Sequence, residues 1–232
     1  MFFDPIYWLV IGLTALISFG AMAYLKSVYA QASQVPVASG MTGAQAAARI
    51  LQWAGIHDVE ILQGDSFLGD HYDPTEKRLV LSPENYVGSS AANVGVAAHE
   101  CGHALQHQKS YAPLELRMKT VYATNIASNA VFYVIMASLM FGVIGTHVAL
   151  WLAALCFGIM IFFQLITLPV EFDASARAKV VLQQLGIVRA GPEADAVNST
   201  LNAAGLTYVA ALVGTILTAA YWIMLLLGRS RN

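Results

Sequence analysis

Residues 97–107 of the chain read Ala-Ala-His-Glu-Cys-Gly-His-Ala-Leu-Gln-His and contain the pattern His-Glu-x-x-His. On an α-helix, residues four apart lie on the same face, so His99 and His103 can both present imidazole nitrogens to one metal ion. Glu100 lies one residue further on, where its carboxylate can reach a water molecule in the open fourth position of a zinc ion. The pattern therefore predicts one Zn²⁺ per chain, with Glu100 as the general base that takes a proton from that water.

The residues that flank the pattern support a metal site over ordinary core packing. They are small or apolar, as in a buried helix, and we expect this helix to run from about Ser90 to Gln108. Burying two imidazoles and a carboxylate costs free energy unless the three groups share a partner. A metal ion is such a partner.

The composition places the chain among membrane proteins. It is 57% hydrophobic and 11% charged, and its mean hydropathy is +0.60, whereas soluble globular proteins carry about 25% charged residues. The formal net charge of −2 gives no reason to expect a nucleic-acid partner. Cys101 lies inside the motif and Cys156 inside an apolar run, so neither is predicted to form a disulfide.

Uncharged stretches predict the first and last membrane-spanning helices. Residues 5–25 contain no Asp, Glu, Lys or Arg and are long enough to span a bilayer. The start of the chain lacks the basic region of a signal peptide, so we interpret this stretch as an uncleaved anchor. Residues 196–228 are also uncharged, and residues 206–227 form the predicted last span.

A third uncharged stretch, residues 120–170, predicts a transmembrane hairpin. It is long enough for two spans, which we place at residues 122–143 and 148–168. Residues 142–147 lie between them and supply the glycines typical of a turn. A proline at position 169 is then expected to end the third span at the membrane interface and to start a short polar helix.

Residues 31–121 have a more polar composition, typical of a soluble section. Thr42 is the predicted N-cap of a helix over residues 43–53. A short β section follows, with a strand at residues 59–62, a turn at residues 70–74 and a returning strand at residues 78–82. The edge of such a sheet is where an extended peptide can bind as an added strand.

A catalytic zinc site needs a third protein ligand besides the two histidines. His107 continues the four-residue spacing, but a third ligand from the same straight helix cannot easily close a tetrahedral shell. His71 and Asp73 lie in the predicted turn before the motif helix and are candidates that could line a cleft. Glu171 begins the predicted polar helix just after a span and is the favoured ligand, with Asp173 as the fallback.

The predicted topology agrees with Glu171 as a ligand. With four spans, the connection between the first two lies on the same side of the membrane as the connection between the last two. The Lys and Arg residues on that side are Lys26, Arg49, Lys77, Arg78, Lys109, Arg117, Lys119, Arg177, Lys179 and Arg189; those on the other side are Arg229 and Arg231. Because Lys and Arg concentrate in cytoplasmic connections, the site is predicted to face the cytoplasm.

Several segments of the chain carry a family resemblance. They are Ser-Gly-Met-Thr-Gly at 39–43, Asp-His-Tyr-Asp-Pro at 70–74, the motif at 99–107, Leu-Pro-Val-Glu-Phe-Asp-Ala-Ser at 168–175, and Ala-Ala-Gly-Leu-Thr-Tyr-Val-Ala-Ala at 203–211. With them the chain resembles the YugP-like membrane zinc metallopeptidases, the neutral zinc metallopeptidases of bacteria. Only the motif at 99–107 is chemically diagnostic.

The resemblance implies a peptidase and assigns roles to the motif residues. His99 and His103 would be zinc ligands, Glu100 the base, and Glu171 the third ligand, as in the distantly similar HtpX-type membrane proteases. Ser175 stands where the HtpX pattern has an aspartate that would brace a ligand histidine. What orients the histidines is therefore left open, and Asp173 is a candidate for this second layer of contacts.

We therefore predict a mainly α membrane protein with four transmembrane helices and a small α+β zincin-like catalytic domain built around the motif helix. The predicted segments are a first transmembrane helix at 5–27, a soluble catalytic domain at 31–120, a transmembrane hairpin at 121–168, interfacial helices carrying the third ligand at 169–205, and a last transmembrane helix at 206–228.

The predicted function is a zinc-dependent endopeptidase in the bacterial plasma membrane that cleaves peptide or protein substrates, membrane proteins among them, in a quality-control role. Its partners are then its substrate and the lipid bilayer. His71 or Tyr72 is a candidate donor of a hydrogen bond to the oxyanion formed during attack. The alternative is a non-catalytic zinc-binding accessory protein. A transporter is disfavoured, because no Asp, Glu, Lys or Arg lies within a predicted span.

Overall fold

The computed structural model describes residues 4–66, 69–141 and 146–229. Within these ranges the chain forms seven helices and three strands: α1 (Pro5–Ala32), α2 (Gly43–Trp53), β1 (Glu60–Gln63), β2 (His71–Asp73), β3 (Arg78–Leu81), α3 (Pro83–Val87), α4 (Ala91–Gln108), α5 (Ala112–Phe141), α6 (Thr146–Gln184) and α7 (Pro192–Arg229). The protein is thus mainly helical with one small sheet. Residues 142–145 of the turn predicted at 142–147 lie outside the described ranges, and residues 146–147 belong to α6.

The chain divides into two compact units. We call Met1–Ala21, Leu116–Leu168 and Thr207–Asn232 the apolar unit, and Met22–Glu115 with Pro169–Leu206 the sheet unit. Among the described residues, four helices are long and apolar enough to cross a membrane, which confirms the predicted number: Pro5–Ala32, Ala112–Ser138, His147–Gln184 and Pro192–Gly228. Inside the apolar unit, Leu150, Phe157 and Trp222 are buried in one cluster.

The three-stranded sheet of the sheet unit has the order β1-β3-β2. β1 pairs with β3 in parallel, and β2 pairs with β3 antiparallel, with Tyr72 opposite Leu79. The strands predicted at residues 59–62 and 78–82 are present as β1 and β3. The predicted turn at residues 70–74 is wrong, because residues 71–73 form β2, and β3 does not return along β1 but runs parallel to it. His71–Asp73 is an edge strand because Tyr72 packs against the core, and the turn begins only at Asp73, whose carboxylate accepts the backbone N–H of Thr75.

Helices α2 and α4 pack together around the core of the sheet unit. Thr42 caps α2 and Ser90 caps α4, each in a reciprocal capping box, so local sequence sets both helix starts as predicted. The facing sides of the two helices carry small residues, including Ala47 and Ala97, that are fully buried. Cys101 and Cys156 are both free and buried.

Helix α6 differs from its prediction because it continues without a break through Pro169. Proline removes one backbone donor and usually ends or kinks a helix. Here Val170, Ala174 and Ala178, spaced by four residues on one helix face, are all fully buried. Tertiary packing therefore outweighs the local cost of Pro169. The interfacial helices expected at residues 169–205 are instead parts of the two long helices α6 and α7.

Candidate metal centre

Helix α4 carries the motif, and its buried face presents the two histidines. His99 and His103 lie one turn apart, with ring centroids separated by 4.8 Å and ring planes at 82°. Their side chains are 15% and 10% exposed, so both rings keep narrow access to solvent. Glu100, between them in sequence, is buried. The helix thus groups the three motif residues as the spacing predicts.

Helix α6 brings Glu171 to the same point. Its carboxylate oxygen Oε2 lies 3.2 Å from Nε2 of His99 and 3.6 Å from Nε2 of His103, and its side chain is 2% exposed. One ligand atom from each of the three residues lies within 4.8 Å of the other two. The sequence favours Glu171 because it is expected to begin a short helix after a membrane span. It lies instead inside the continuous helix α6.

Gly102 explains how closely α4 and α6 approach each other. A Cβ atom added at Gly102 would lie 2.5 Å from the backbone oxygen of Ala174, a distance that no carbon–oxygen contact tolerates. The absence of a side chain therefore lets the two backbones meet between His99 and His103 on one helix and Glu171 on the other. This close contact sets the distance across the site.

The second ring nitrogen of each histidine has its own polar neighbour. Nδ1 of His99 lies 3.1 Å from Oγ of Ser175, and Nδ1 of His103 lies 3.0 Å from Oε1 of Gln106. With both Nδ1 atoms occupied, the two Nε2 atoms are left to face Glu171. Two imidazole nitrogens and one carboxylate oxygen are a donor set that suits Zn²⁺ and leaves a fourth position open, so the residues fit the metal.

The electrostatics of the site favour positive charge. Burial acts to lower the pKa of His103, but the hydrogen bond to Glu171 and the negative charges of Glu100 and Glu171 outweigh it, so the pKa is raised. The negative charges around His103 therefore favour a cation at this position. A metal ion bound there would compete with a proton for the imidazole, as is usual for histidine ligands.

Asp173, the predicted second-layer residue, lies beside the site on α6. Its carboxylate forms an ion pair with Arg177 and accepts a hydrogen bond from Nε2 of Gln106 at 2.8 Å. Its link to His103 therefore runs through the Gln106 amide. Ser175, by contrast, contacts His99 directly.

The remaining predicted residues lie along β2 and at the end of α4. His71 is exposed, and its Nδ1 lies 2.7 Å from the backbone oxygen of Gly69. The hydroxyl of Tyr72 lies 2.9 Å from Nδ1 of His107, one turn beyond His103. Burial, followed by the charges of Asp58 and Asp73, raises the pKa of Tyr72 to about 12, so its hydroxyl keeps its proton at neutral pH.

Sequence reasoning did not single out Gln106, and it treated Ser175 only as a departure from a pattern. Both carry a recognisable signal. Gln106 lies three residues after His103, and Ser175 lies four residues after Glu171, so each shares a helix face with a ligand. Polar residues at these spacings from a metal ligand are candidates for orienting it.

The chain as a whole is similar to known proteins. A family model described as "Putative neutral zinc metallopeptidase" matches residues 7–227. The "Putative membrane protease YugP" of Bacillus subtilis (strain 168) is 42% identical over 220 residues, which cover 93% of this chain and 95% of that protein. No solved structure matches the chain.

Proposed function

Because the chain belongs to the neutral zinc metallopeptidase family, we propose that it is a zinc-dependent endopeptidase of the gluzincin type, with His99, His103 and Glu171 as the ligands of one zinc ion. The convergence of their three ligand atoms within 4.8 Å carries this proposal. The family implies peptide or protein substrates, and the four apolar helices agree with a membrane protein.

Zinc bound at this position would acidify a water molecule and polarise the carbonyl of the scissile peptide bond. Glu100, which follows the ligand His99 in sequence and is buried, takes the proton of the attacking water and passes it to the leaving amine. The buried surroundings strengthen the electrostatic effect of each charged group on the reaction.

Tyr72 is the better of the two residues proposed to stabilise the oxyanion. Neighbouring strand residues point to opposite faces, and Tyr72 points to α4, where its hydroxyl meets His107 one turn beyond His103. Its raised pKa keeps the hydroxyl a donor. His71 points the other way, towards the Gly69 carbonyl. β2 is an edge strand of the sheet, and an extended peptide could add beside it as a further strand.

We further propose that the protein lies in the bacterial plasma membrane, that its zincin-like sheet unit faces the cytoplasm, and that it acts in membrane-protein quality control. The excess of Lys and Arg in the connections between spans supports this orientation. The predicted domain division at residues 31–120 and 169–205 is kept as part of this proposal. Labelling of single cysteines placed at positions 75 and 190 tests whether these connections share one side of the membrane.

The decisive experiment compares the native protein with Glu100→Gln, both purified in detergent, for zinc content and for hydrolysis of an unfolded protein such as casein. The variant should keep its zinc and lose hydrolysis, because Glu100 handles the water and not the ion. Glu115→Gln, a change at the start of α5, is the matched control. Native protein that binds zinc but hydrolyses nothing would favour the accessory-protein alternative.

A further inference from the structure

Gln106 is a fully buried polar residue of the motif helix α4, and its side chain contacts α6. We propose that Gln106 is a positioning residue, which holds the His103 ring in one orientation with its proton on Nδ1 and fastens α6 beside Glu171. The proposal rests on the metal site described above but not on peptide hydrolysis. It adds to the proposed function a residue that orients one candidate ligand before the metal binds.

The hydrogen bonds of the Gln106 side chain determine which way its amide points. Nε2 lies 2.7 Å from the backbone oxygen of Val170 and 2.8 Å from Oδ2 of Asp173. Both neighbours are acceptors, so only the amide NH₂ group can satisfy them. The amide oxygen is therefore the atom that faces Nδ1 of His103 at 3.0 Å.

This orientation decides the protonation of the histidine ring. An amide oxygen can only accept a hydrogen bond, so Nδ1 of His103 must carry the hydrogen. In the neutral ring the lone pair then lies on Nε2, the nitrogen that faces Glu171. A hydroxyl group, such as that of Ser175 beside His99, can donate or accept and makes no such selection.

The amide is itself held by a charged group. Asp173, which accepts from Nε2, is paired with Arg177 through both Nε and Nη2 of the guanidinium. The Arg177 guanidinium also lies over the ring of Tyr111, 5.7 Å from its centroid. Arg177 restricts the Asp173 carboxylate, and the carboxylate restricts the Gln106 amide. The amide therefore cannot rotate without breaking a charge-assisted hydrogen bond.

The bond to Val170 gives Gln106 a second role. Val170 immediately precedes Glu171 on α6, so the same amide that orients one ligand also anchors the backbone beside another. One buried side chain thereby ties His103 on α4 to Glu171 on α6. Loss of the amide should loosen both ligands and weaken the binding of the metal.

The test uses the full-length protein in detergent and compares Gln106→Leu with Gln108→Leu. Gln108 lies on the same helix but is exposed and donates to the backbone oxygen of Ala54, so its variant is a matched control. The dissociation constant for zinc is measured by competition with a chelator. Gln106→Leu should weaken binding about 10–100-fold, as for other residues that orient metal ligands, and Gln108→Leu should not. Equal affinities in the two variants would overturn the proposal.

A second measurement separates orientation of the ring from simple packing. In zinc-loaded protein labelled with ¹⁵N-histidine, the Nδ1–H signal of His103 should exchange slowly with water in the native protein and rapidly in Gln106→Leu. A role in packing alone would leave the slow exchange unchanged, and that result would contradict the proposal.

Gln106→Glu covers the case in which the leucine variant fails to fold. A carboxylate still accepts from Nδ1–H but cannot donate to Val170 or Asp173. We therefore expect slow exchange at His103 together with weakened zinc binding. Rapid exchange in this variant would refute the role of the oxygen, and native affinity would refute the anchoring of α6. Neither readout depends on hydrolysis, so a protein without peptidase activity would still decide the proposal.

Discussion

The two sides of the candidate site are supported very differently. On one side, Nδ1 of His99 faces the hydroxyl of Ser175, and the His99 side chain is the more exposed of the two. On the other, His103 is met by a buried amide that is held in turn by the ion pair of Asp173 with Arg177. The two histidines of one motif, both candidate ligands, thus have different support at Nδ1: a hydroxyl beside His99 and a held amide beside His103.

This difference suggests a division of work between the histidines. A hydroxyl can rotate, so Ser175 places little restriction on the His99 ring. The amide of Gln106 and the ion pair behind it restrict the His103 ring more strongly. The His99 side chain is also slightly more exposed, at 15% against 10%.

Glu171→Ala should have the largest effect because Glu171 is shared by both sides. With two histidines left, zinc should be lost on dialysis and hydrolysis should disappear, since a catalytic zinc site needs three protein ligands. Metal content is measured after dialysis by mass spectrometry. His107→Ala is the matched control and should keep its zinc. Zinc retained at one equivalent in Glu171→Ala would remove Glu171 from the site.

Gly102→Ala should disturb both sides through the contact between α4 and α6. The added methyl group would meet the Ala174 backbone oxygen at 2.5 Å, and such overpacking costs about 1–3 kcal/mol of stability. Thermal unfolding of the metal-free protein measures this cost. Gly95→Ala on the same helix is the control, because its methyl group would lie 3.4 Å from Val197. Equal unfolding temperatures for the two variants would disprove the close contact.

Asp173→Asn should weaken only the support of His103. The asparagine can still accept from Gln106 but loses the charge that pairs with Arg177, so the amide is held less firmly. We expect zinc affinity to fall about 10-fold, at the lower end of the range for residues that orient metal ligands. Chelator competition measures it.

Ser175→Ala should have the smallest effect of the series. One hydrogen bond between neutral groups is worth about 0.5–1.5 kcal/mol, and water can replace the hydroxyl at the partly exposed His99 ring. Zinc affinity should therefore fall less than in Asp173→Asn. The reverse order in the same chelator competition would show that His99 is the more firmly held ligand and would invert the comparison.

Local signals in the sequence predicted much of this arrangement. The cap residues Thr42 and Ser90 mark helix starts that depend only on neighbouring side chains. The uncharged stretches predicted the four apolar helices by composition alone. The four-residue spacing grouped His99 and His103, because the geometry of a helix is the same wherever it occurs.

Features that depend on distant contacts were harder to predict. Pro169 suggests a helix end locally, but the buried face that begins at Val170 carries α6 through it. The strand β2 is only three residues long, so its sequence carries little strand signal. It pairs with one edge of β3 because β1 pairs with the other edge. The amide orientation of Gln106 likewise depends on groups 64 and 67 residues away.

The wide separation of the ligands along the chain has a consequence for biosynthesis. His99 and Glu171 are 72 residues apart, and the long uncharged stretch at residues 120–170 lies between them. A ribosome that has made α4 has therefore made two of the three candidate ligands, and the third follows only after the long apolar stretch has been synthesised. A growing chain that stalls before that point carries an incomplete candidate centre.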